Sequence, residues 1–359
     1  MTLQVAAAFR LFDGSASLYP FARMKLITRF ALKRLAFLFL LLGVIVWCFW
    51  WTMIRMPGKS FRGPLPPLTA EQTALRDELR RHVLKLAGEI GERNVYLPKE
   101  LAAAADYIEA ALTNAGHRVS RQGFTAMGEL CQNLEVEIRG TTRPEEIVVV
   151  GAHYDSVQGS PGADDNASAA AALLALTQSP ALQKPARTLR FVAFVNEEPP
   201  FFMTEQMGSL VYARRCRERN ENIVTAFVIE SVGNYSTVER SQKYPFPVGW
   251  FYPSRGDFVA FVSRTKDSGL VRRCVKAFRE HAQFPSEGGA LPGALPGIGW
   301  SDHWAFWQAG YPALMVTDTA TFRSPHYHTS NDTPDKLDYD RCARVIEGVA
   351  KVIEDLANP

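Results

Sequence analysis

The sequence has few cysteines, and none of them is arranged as a typical metal-binding pair. Its 359 residues include five cysteines. The absence of a Cys-x-x-Cys pair argues against zinc sites built from thiolates and against a small disulfide-dense protein. The body of the chain contains four cysteines, Cys131, Cys216, Cys274 and Cys342. They could form disulfides in an oxidising compartment, but their spacing does not indicate which of them would pair.

Clusters of basic residues are also absent from most of the chain. The formal net charge is +3, but residues 1–62 hold nine basic side chains and one acidic side chain. The remaining residues carry 31 basic and 36 acidic side chains, a net charge of −5. A mildly acidic body lacks the clustered Lys and Arg of a nucleic-acid-binding face, so we expect no nucleic-acid partner.

Long apolar runs are absent except for one, residues 35–54, which contain no charge. At about 1.5 Å per residue, a helix of this length spans the roughly 30 Å hydrocarbon core of a bilayer. Trp47, Trp50 and Trp51 lie at its C-terminal end, where indole rings favour the membrane–water interface. A cleaved signal peptide has a shorter apolar region and a small-residue cleavage site, and a buried core helix lacks basic flanks. The run therefore predicts one transmembrane anchor.

The basic residues beside this run predict its orientation. Six precede it and three follow it, which predicts a cytoplasmic N-terminus and an extracytoplasmic body. In a Gram-negative cell the anchor would lie in the inner membrane and the body in the periplasm. Met24 is an alternative start. The predicted organisation is a basic cytoplasmic leader, a transmembrane anchor, a Pro/Gly-rich stalk and a catalytic body: residues 1–34, 35–54, 55–68 and 69–359.

The body shows an alternation of helical and strand patterns. Helices are predicted at 70–88, 98–115, 167–176, 208–217, 268–281 and 341–356. Strands are predicted at 117–124, 132–139, 147–152, 189–195, 223–231 and 312–317. This order predicts an α/β fold with a mixed, mostly parallel sheet between helices. Segments 233–257 and 285–300 are rich in Pro, Gly and aromatic residues and are expected to form long rim loops, which could shape a substrate pocket or serve as plain surface connections.

Histidine and carboxylate side chains follow several of the predicted strands. His153 comes directly after one strand, Glu197 and Glu198 follow the next, Glu230 lies at the end of a third, and His328 comes after the last. The carboxyl ends of parallel strands meet at one edge of a sheet, where ligands bind. Two imidazoles and several carboxylates at such an edge favour a divalent cation, and mixed N/O ligation suits zinc.

Neighbouring residues suggest how such a site is supported. Asp155 is well placed to accept the second ring N–H of His153. Asp164 lies in a tight Gly-Ala-Asp-Asp-Asn turn and could bridge two ions. Asp165 and Asn166 would then stabilise the turn and cap the following helix.

The adjacent acids Glu197 and Glu198 suggest a division of roles. Adjacent side chains of an extended backbone point in opposite directions. One of the two can therefore bind metal while the other remains free to act as a general base.

Several stretches together resemble the M28 family of zinc aminopeptidases. They are GAHYDSVQGSPGADDNAS, NEEPPFF, the strand end at Glu230, SDHWAFWQAGYPALMVTDT and PHYHTSNDT, spread in order over about residues 100–357. The resemblance implies a three-layer α/β/α sandwich of the zinc-exopeptidase type. It also implies two zinc ions and peptide substrates with a free N-terminus.

The same resemblance implies individual roles. One zinc would be bound by His153, Asp164 and Glu230, and the other by Asp164, Glu198 and His328. Glu197 would be the general base, and the Asp164–Asp165 peptide would be cis. Three further residues would support the site. Asp165 would lie beside the ligands, and Asp302 would hydrogen-bond to Glu230 or its neighbours. Tyr327 would donate a hydrogen bond to the oxyanion, with plain packing as the alternative for this residue.

Glu230 departs from the family pattern and keeps other functions open. Members with two zincs usually have Asp at this position. Glu keeps the carboxylate but adds a methylene, so binding of the second zinc depends on how this longer side chain is placed. The alternative is an acyltransferase resembling glutaminyl cyclases, which have the same fold and use one zinc. A non-enzymatic interaction domain ranks last because no ligand is lost.

Overall fold

The computed structural model describes residues 28–359; residues 1–27 of the predicted basic leader lie outside this range. The chain divides into two compact units, Met1–Cys48 and Phe49–Pro359. Helix α1 (Arg29–Phe49) continues as a π-helical segment, Trp50–Ile54. Together these 26 residues contain an 18-residue window with a mean hydropathy of 2.3 and are long and apolar enough to cross a membrane, a property that signal sequences share.

The second unit contains one eight-stranded sheet and seven α-helices within the described residues. The helices are α2 (Ala70–Val83), α3 (Pro98–Asn114), α4 (Ala169–Thr177), α5 (Gly208–Glu218), α6 (Ser268–His281), α7 (His303–Gln308) and α8 (Tyr339–Ala357). The strands are β1 (Val119–Ala126), β2 (Glu129–Ile138), β3 (Arg143–His153), β4 (Arg187–Phe194), β5 (Asn222–Glu230), β6 (Val259–Arg264), β7 (Ser286–Leu291) and β8 (Ala313–Thr317).

The sheet is mixed, with a parallel centre. Its strand order is β1-β2-β4-β3-β5-β8-β6-β7. Strands β4, β3, β5 and β8 are parallel to their neighbours in this series, β6 pairs with β8 antiparallel, and β7 is parallel to β6. At the other end, β2 is antiparallel to β4 and β1 antiparallel to β2. The carboxyl ends of the four central strands therefore share one edge.

Alternation along β3 explains the three layers. Val148 and Val150 belong to the core cluster shared with α2, α3, α4, α6 and α8, whereas Val149 belongs to the cluster shared with α5 and α7. Successive side chains of a strand point to opposite faces, so a continuous apolar run buries both sides of the sheet. The predicted α/β/α architecture is confirmed.

Helix α2 has a clear start signal in the sequence, whereas strand β7 has little strand signal. Thr69 and Gln72 form a capping box at the start of α2. Strand β7, by contrast, lies within a segment that was expected to be a loop. Its sequence, Ser-Glu-Gly-Gly-Ala-Leu, has no β-branched residue, so it carries little local strand signal. The four cysteines of the body are buried and form no disulfide.

Residues 55–69, which include the predicted stalk, have no regular secondary structure and run along the body. The Arg272 guanidinium donates to the carbonyls of Trp51 and Arg55, at 3.0 and 2.9 Å. The Ser286 N–H of edge strand β7 donates to the Ser60 hydroxyl at 2.9 Å. These contacts attach the end of the apolar helix and the start of the stalk segment to the body.

Candidate metal centre

The sheet brings the predicted strand-end residues together at its carboxyl edge. His153 is the last residue of β3 and Glu230 the last of β5. Glu197 and Glu198 follow β4 after a short turn, and His328 lies in the loop after β8. The first four of these side chains are buried, and His328 is half-buried.

These side chains form two groups that share Asp165. In the first, His153 Nε2 lies 3.3 Å from Asp165 Oδ1 and 3.2 Å from Glu230 Oε2. In the second, His328 Nε2 lies 3.1 Å from Asp165 Oδ2 and 3.2 Å from Glu198 Oε2. Within each group, the three donor atoms lie within 4.8 Å of one another. Asp165 thus presents one carboxylate oxygen to each group.

The prediction that Asp164 is the shared ligand is wrong. Asp164 Oδ1 instead accepts the Gly233 N–H at 2.8 Å. Burial, with the nearby Asp318 carboxylate, raises the pKa of Asp164 well above its usual range. The cis peptide joins Asp165 and Asn166, not Asp164 and Asp165.

The geometry of this turn explains the correction. The Asp332 carboxylate accepts the backbone N–H groups of both Asp164 and Asp165, at 2.9 and 3.1 Å. Asn166 Oδ1 accepts the Ser231 N–H at 2.9 Å. With the backbone held on both sides, Asp165 faces the two histidines and the predicted roles of the two aspartates are exchanged.

The residues present fit a metal ion with mixed N/O ligands. His153 Nε2 and His328 Nε2 are buried atoms without a hydrogen-bond partner, although carboxylate oxygens surround them. Buried polar atoms are normally satisfied, so two orphaned imidazole nitrogens that face carboxylates fit a site that binds a cation. Tetrahedral zinc takes imidazole nitrogen and carboxylate oxygen together.

The charges of the metal-free cluster point to the same interpretation. Burial raises the pKa of Glu198 to about 8. Burial alone would lower the pKa of His328, but Asp165 and Glu198 raise it to about 10. Without a cation, the cluster therefore holds protons at neutral pH that metal binding must displace.

Asp155 connects the histidine strand to the two adjacent glutamates. Its carboxylate accepts the N–H groups of Glu197 and Glu198, at 3.2 and 3.1 Å. Asp155 Oδ1 lies 3.5 Å from His153 Nδ1, and the Asp155 carbonyl lies nearer to that nitrogen, at 3.2 Å. Asp155 thus fixes both the imidazole and the turn that carries the acids.

The predicted hydrogen bond from Asp302 to Glu230 is absent, and the preceding residue makes it instead. Ser301 Oγ donates to Glu230 Oε2 at 2.7 Å. Both carboxylate oxygens of Asp302 are buried without a hydrogen-bond partner, and burial raises its pKa to about 7. Asp302 has helical dihedral angles immediately before α7, and neighbouring residues of a helical turn point about 100° apart.

Glu197 and Tyr327 border the two groups without joining either. Glu197 Oε2 lies 3.8 Å from His153 Nε2, and burial raises the pKa of Glu197 well above its usual range. The Tyr327 ring stacks on the His328 imidazole, with 3.8 Å between the ring centroids. Burial also raises the pKa of Tyr327, so its hydroxyl keeps its proton.

Sequence reasoning missed three residues that support the cluster: Arg93, Ser301 and Asp332. Arg93 is completely buried, and its guanidinium donates to the carbonyls of Tyr154 and Gly162 at 2.6 and 2.9 Å. Ser301 and Asp332 lie in two of the stretches that resemble the family, and this resemblance could have identified them as supporting residues. No local pattern distinguishes Arg93 from an exposed arginine.

A largely apolar cavity adjoins the cluster at Glu230 and Tyr327. It encloses about 870 Å³, including the space at its mouth. The two segments expected to shape a pocket do line it, with side chains that include Tyr244, Tyr252 and Ile298. The fold and the paired donor groups are those of an α/β/α protein with two adjacent candidate cation sites.

Comparison with known proteins identifies the family. The sequence model of peptidase family M28 matches residues 133–353. An Escherichia coli (strain K12) protein, described as uncharacterized protein YfbL, is 36% identical over 286 residues, which cover 77% of this chain and 87% of that protein. The chain belongs to peptidase family M28, and it is a zinc metallopeptidase.

Solved structures share the fold at low sequence identity. BSAP, a zinc aminopeptidase from Bacillus subtilis, has a TM-score of 0.63 and 15% identity, covering 79% of this chain and 95% of that one. A glutaminyl cyclase from Bacteroides thetaiotaomicron has a TM-score of 0.58 and 18% identity, covering 78% of this chain and 97% of that one. At these identities the likeness supports the fold alone.

Proposed function

We propose that this protein is an aminopeptidase that hydrolyses the peptide bond after the free N-terminal residue of its substrate, with two zinc ions. His153 and Glu230 would hold one ion, Glu198 and His328 the other, and Asp165 would bind both. The observation that carries the proposal is the pair of orphaned imidazole nitrogens, each facing one oxygen of the same carboxylate.

The chain's own residues suggest how the reaction proceeds. Zinc in such a site supplies Lewis acidity and lowers the pKa of a water molecule. Glu197 stands beside the cluster as a carboxylate outside both donor groups. It would take a proton from the attacking water and deliver it to the departing amine. The Tyr327 hydroxyl, which keeps its proton, would donate a hydrogen bond to the developing oxyanion.

Metal counting combined with one isosteric variant tests the proposal. The purified full chain is expected to bind two zinc ions and to cleave aminoacyl anilides. Glu197→Gln should keep both ions and lose activity, because the amide cannot accept the proton. Glu205→Gln, at an exposed position, is the matched control and should behave as wild type. A Glu197→Gln variant with full activity would contradict the proposed base.

The alternative of a single-zinc glutaminyl cyclase-like acyltransferase makes a different prediction. That reaction would release ammonia from an N-terminal glutamine, with one tightly bound zinc. Glu230 Oε2 approaches His153 Nε2 as closely as Glu198 approaches His328, so the longer side chain is accommodated and two sites are favoured. A stoichiometry of one zinc together with ammonia release would reverse this preference.

We also propose that α1 is a retained membrane anchor with a cytoplasmic N-terminus and a periplasmic body. The length and hydropathy of the helix suit a bilayer, but a cleaved signal sequence would share both properties. Retention is supported by Ile54 and Met56, which are buried within the second unit. A signal peptidase cut near the end of the helix would remove or expose part of the folded body.

A further inference from the structure

An aromatic pair projects from the loop 244–252 into solvent. Phe246 is 81% exposed and Trp250 is 76% exposed, the two largest values among the large hydrophobic residues of the described range 28–359. Their rings contact each other edge to face at 5.3 Å. An exposed apolar pair of this kind marks an interaction surface, and its members are residue types that bind bilayer interfaces.

Hydrogen bonds and ring packing hold the base of this loop, and the two exposed rings lie outside it. Val248 is buried, and its N–H donates to the Pro245 carbonyl at 2.8 Å. The Trp250 N–H donates to the Pro247 carbonyl at 3.1 Å. Below them, the Tyr244 and Tyr252 rings stack with 5.8 Å between centroids. The Phe246 and Trp250 rings remain exposed beside this packed base.

The same loop packs against the end of the apolar helix. The Phe251 ring lies 6.0 Å from the Phe49 ring, and Met53 packs on the core cluster that contains Val248 and Ile54. The Arg272 guanidinium donates to two backbone carbonyls at the same helix end. In a spanning helix, this end with its tryptophans lies at the membrane–water interface. The loop is therefore attached to the part of the chain that would lie at the bilayer surface.

We propose that the loop 244–252 is a second membrane contact, in which Phe246 and Trp250 insert into the interfacial layer of the bilayer that α1 crosses. This inference rests on the proposed anchor and goes beyond it. Because Tyr244 and Val248 also line the cavity next to the metal centre, the contact would place one wall of that cavity at the membrane surface. Exposed Lys243 beside the loop suits anionic headgroups.

Site-directed labelling of the full chain in vesicles of phosphatidylcholine and phosphatidylglycerol tests this contact. In a Cys48→Ser background, the remaining cysteines are buried, so an NBD label reacts at an introduced cysteine. Phe246→Cys should give blue-shifted emission that is quenched by lipids carrying a nitroxide near the headgroup. Leu130→Cys, at a position 65% exposed near the opposite end of the sheet, is the matched control and should remain unquenched.

A label at Leu40, in the middle of α1, separates the two ideas. If Leu40→Cys is quenched by deep nitroxides and Phe246→Cys is not quenched, the anchor stands and the second contact is refuted. If neither is quenched, the anchor itself is wrong and the inference fails with it. Shielding of the Phe246→Cys label without lipid quenching would assign the surface to a protein partner or a second copy, which also overturns the proposal.

An unlabelled variant provides an independent measurement. Trp250→Phe should remove part of the tryptophan emission that brominated lipids quench in the wild-type chain. Trp300→Phe, which also removes a partly exposed indole, should leave the lipid-quenched part unchanged. Equal quenched emission in wild type and Trp250→Phe would contradict insertion of the loop.

Discussion

The exchange of roles between two adjacent aspartates is the sharpest feature at the scale of single residues. Asp165 faces both histidines, whereas Asp164 is buried against Gly233 and Asp318. Burial and the nearby Asp318 carboxylate raise the pKa of Asp164, and asparagine would keep the Oδ1 that accepts the Gly233 N–H. The two positions should therefore respond differently to the same substitution.

Asp165→Asn should lose zinc and activity, while Asp164→Asn should keep both. Outer partners of metal ligands typically contribute 10–100-fold, so removal of a shared ligand should lower activity by at least about 100-fold. Zinc counting and anilide hydrolysis on the two variants measure this difference. A metal-depleted Asp164→Asn beside a metal-replete Asp165→Asn would restore the original sequence prediction.

Zinc binding should release protons and become tighter as pH rises. In the metal-free chain, Glu198 with a pKa of about 8 and His328 with a pKa of about 10 are both protonated at pH 7, and each must lose its proton to bind metal. Affinity should therefore increase between pH 6 and pH 8. Titration calorimetry in buffers of different ionisation enthalpy measures the released protons. Binding without proton release would contradict this account of the cluster.

At the scale of structural elements, the metal centre depends on loops that buried polar groups hold in place. The Arg93 guanidinium donates to carbonyls of the segment that joins His153 to Asp165, and burial lowers its pKa to about 10, so it remains charged at neutral pH. A buried charge with several carbonyl partners is costly to remove, because each carbonyl then lacks a donor.

Arg93→Met should destabilise the body by about 3 kcal/mol, the range in which buried networks stand out from ordinary substitutions. The loss follows from unsatisfied carbonyls, since methionine fills part of the volume. Denaturant unfolding of the full chain in detergent measures it. Arg118→Met is the control, because Arg118 is exposed and should change the free energy of unfolding little. Equal stability of both variants would mean that Arg93 is not a structural anchor.

The strength of the local sequence pattern decides which strands and site residues could be predicted from the sequence. Strands β3 and β5 contain continuous apolar runs, so their positions were predictable from the pattern, together with the placement of His153 and Glu230 at their ends. Strand β7 was missed because its glycines carry no strand propensity. The choice between Asp164 and Asp165 depends on Asp332, about 170 residues away in sequence, and on a turn whose dihedral angles residue types do not determine.

For the whole molecule, the charge of the chain separates into two parts with different roles. The basic N-terminal region flanks an apolar helix, while the acidic surplus of the body includes the buried carboxylates of the metal centre. Flanking Lys and Arg orient a single span, and the buried carboxylates require cations. The net charge of +3 is therefore a sum over a basic N-terminal region and an acidic body.

Protease treatment of spheroplasts from a Gram-negative host should remove a tag placed after Pro359 and spare a tag placed before Met1. The reason is the excess of basic residues on the N-terminal side of the apolar run, which keeps that side in the cytoplasm. Pro359 is exposed, so a tag there is accessible without unfolding the body. Immunoblotting of both tags, with a cytoplasmic marker to verify intact spheroplasts, measures the result. Protection of the C-terminal tag until lysis would reverse the orientation and place the metal centre in the cytoplasm.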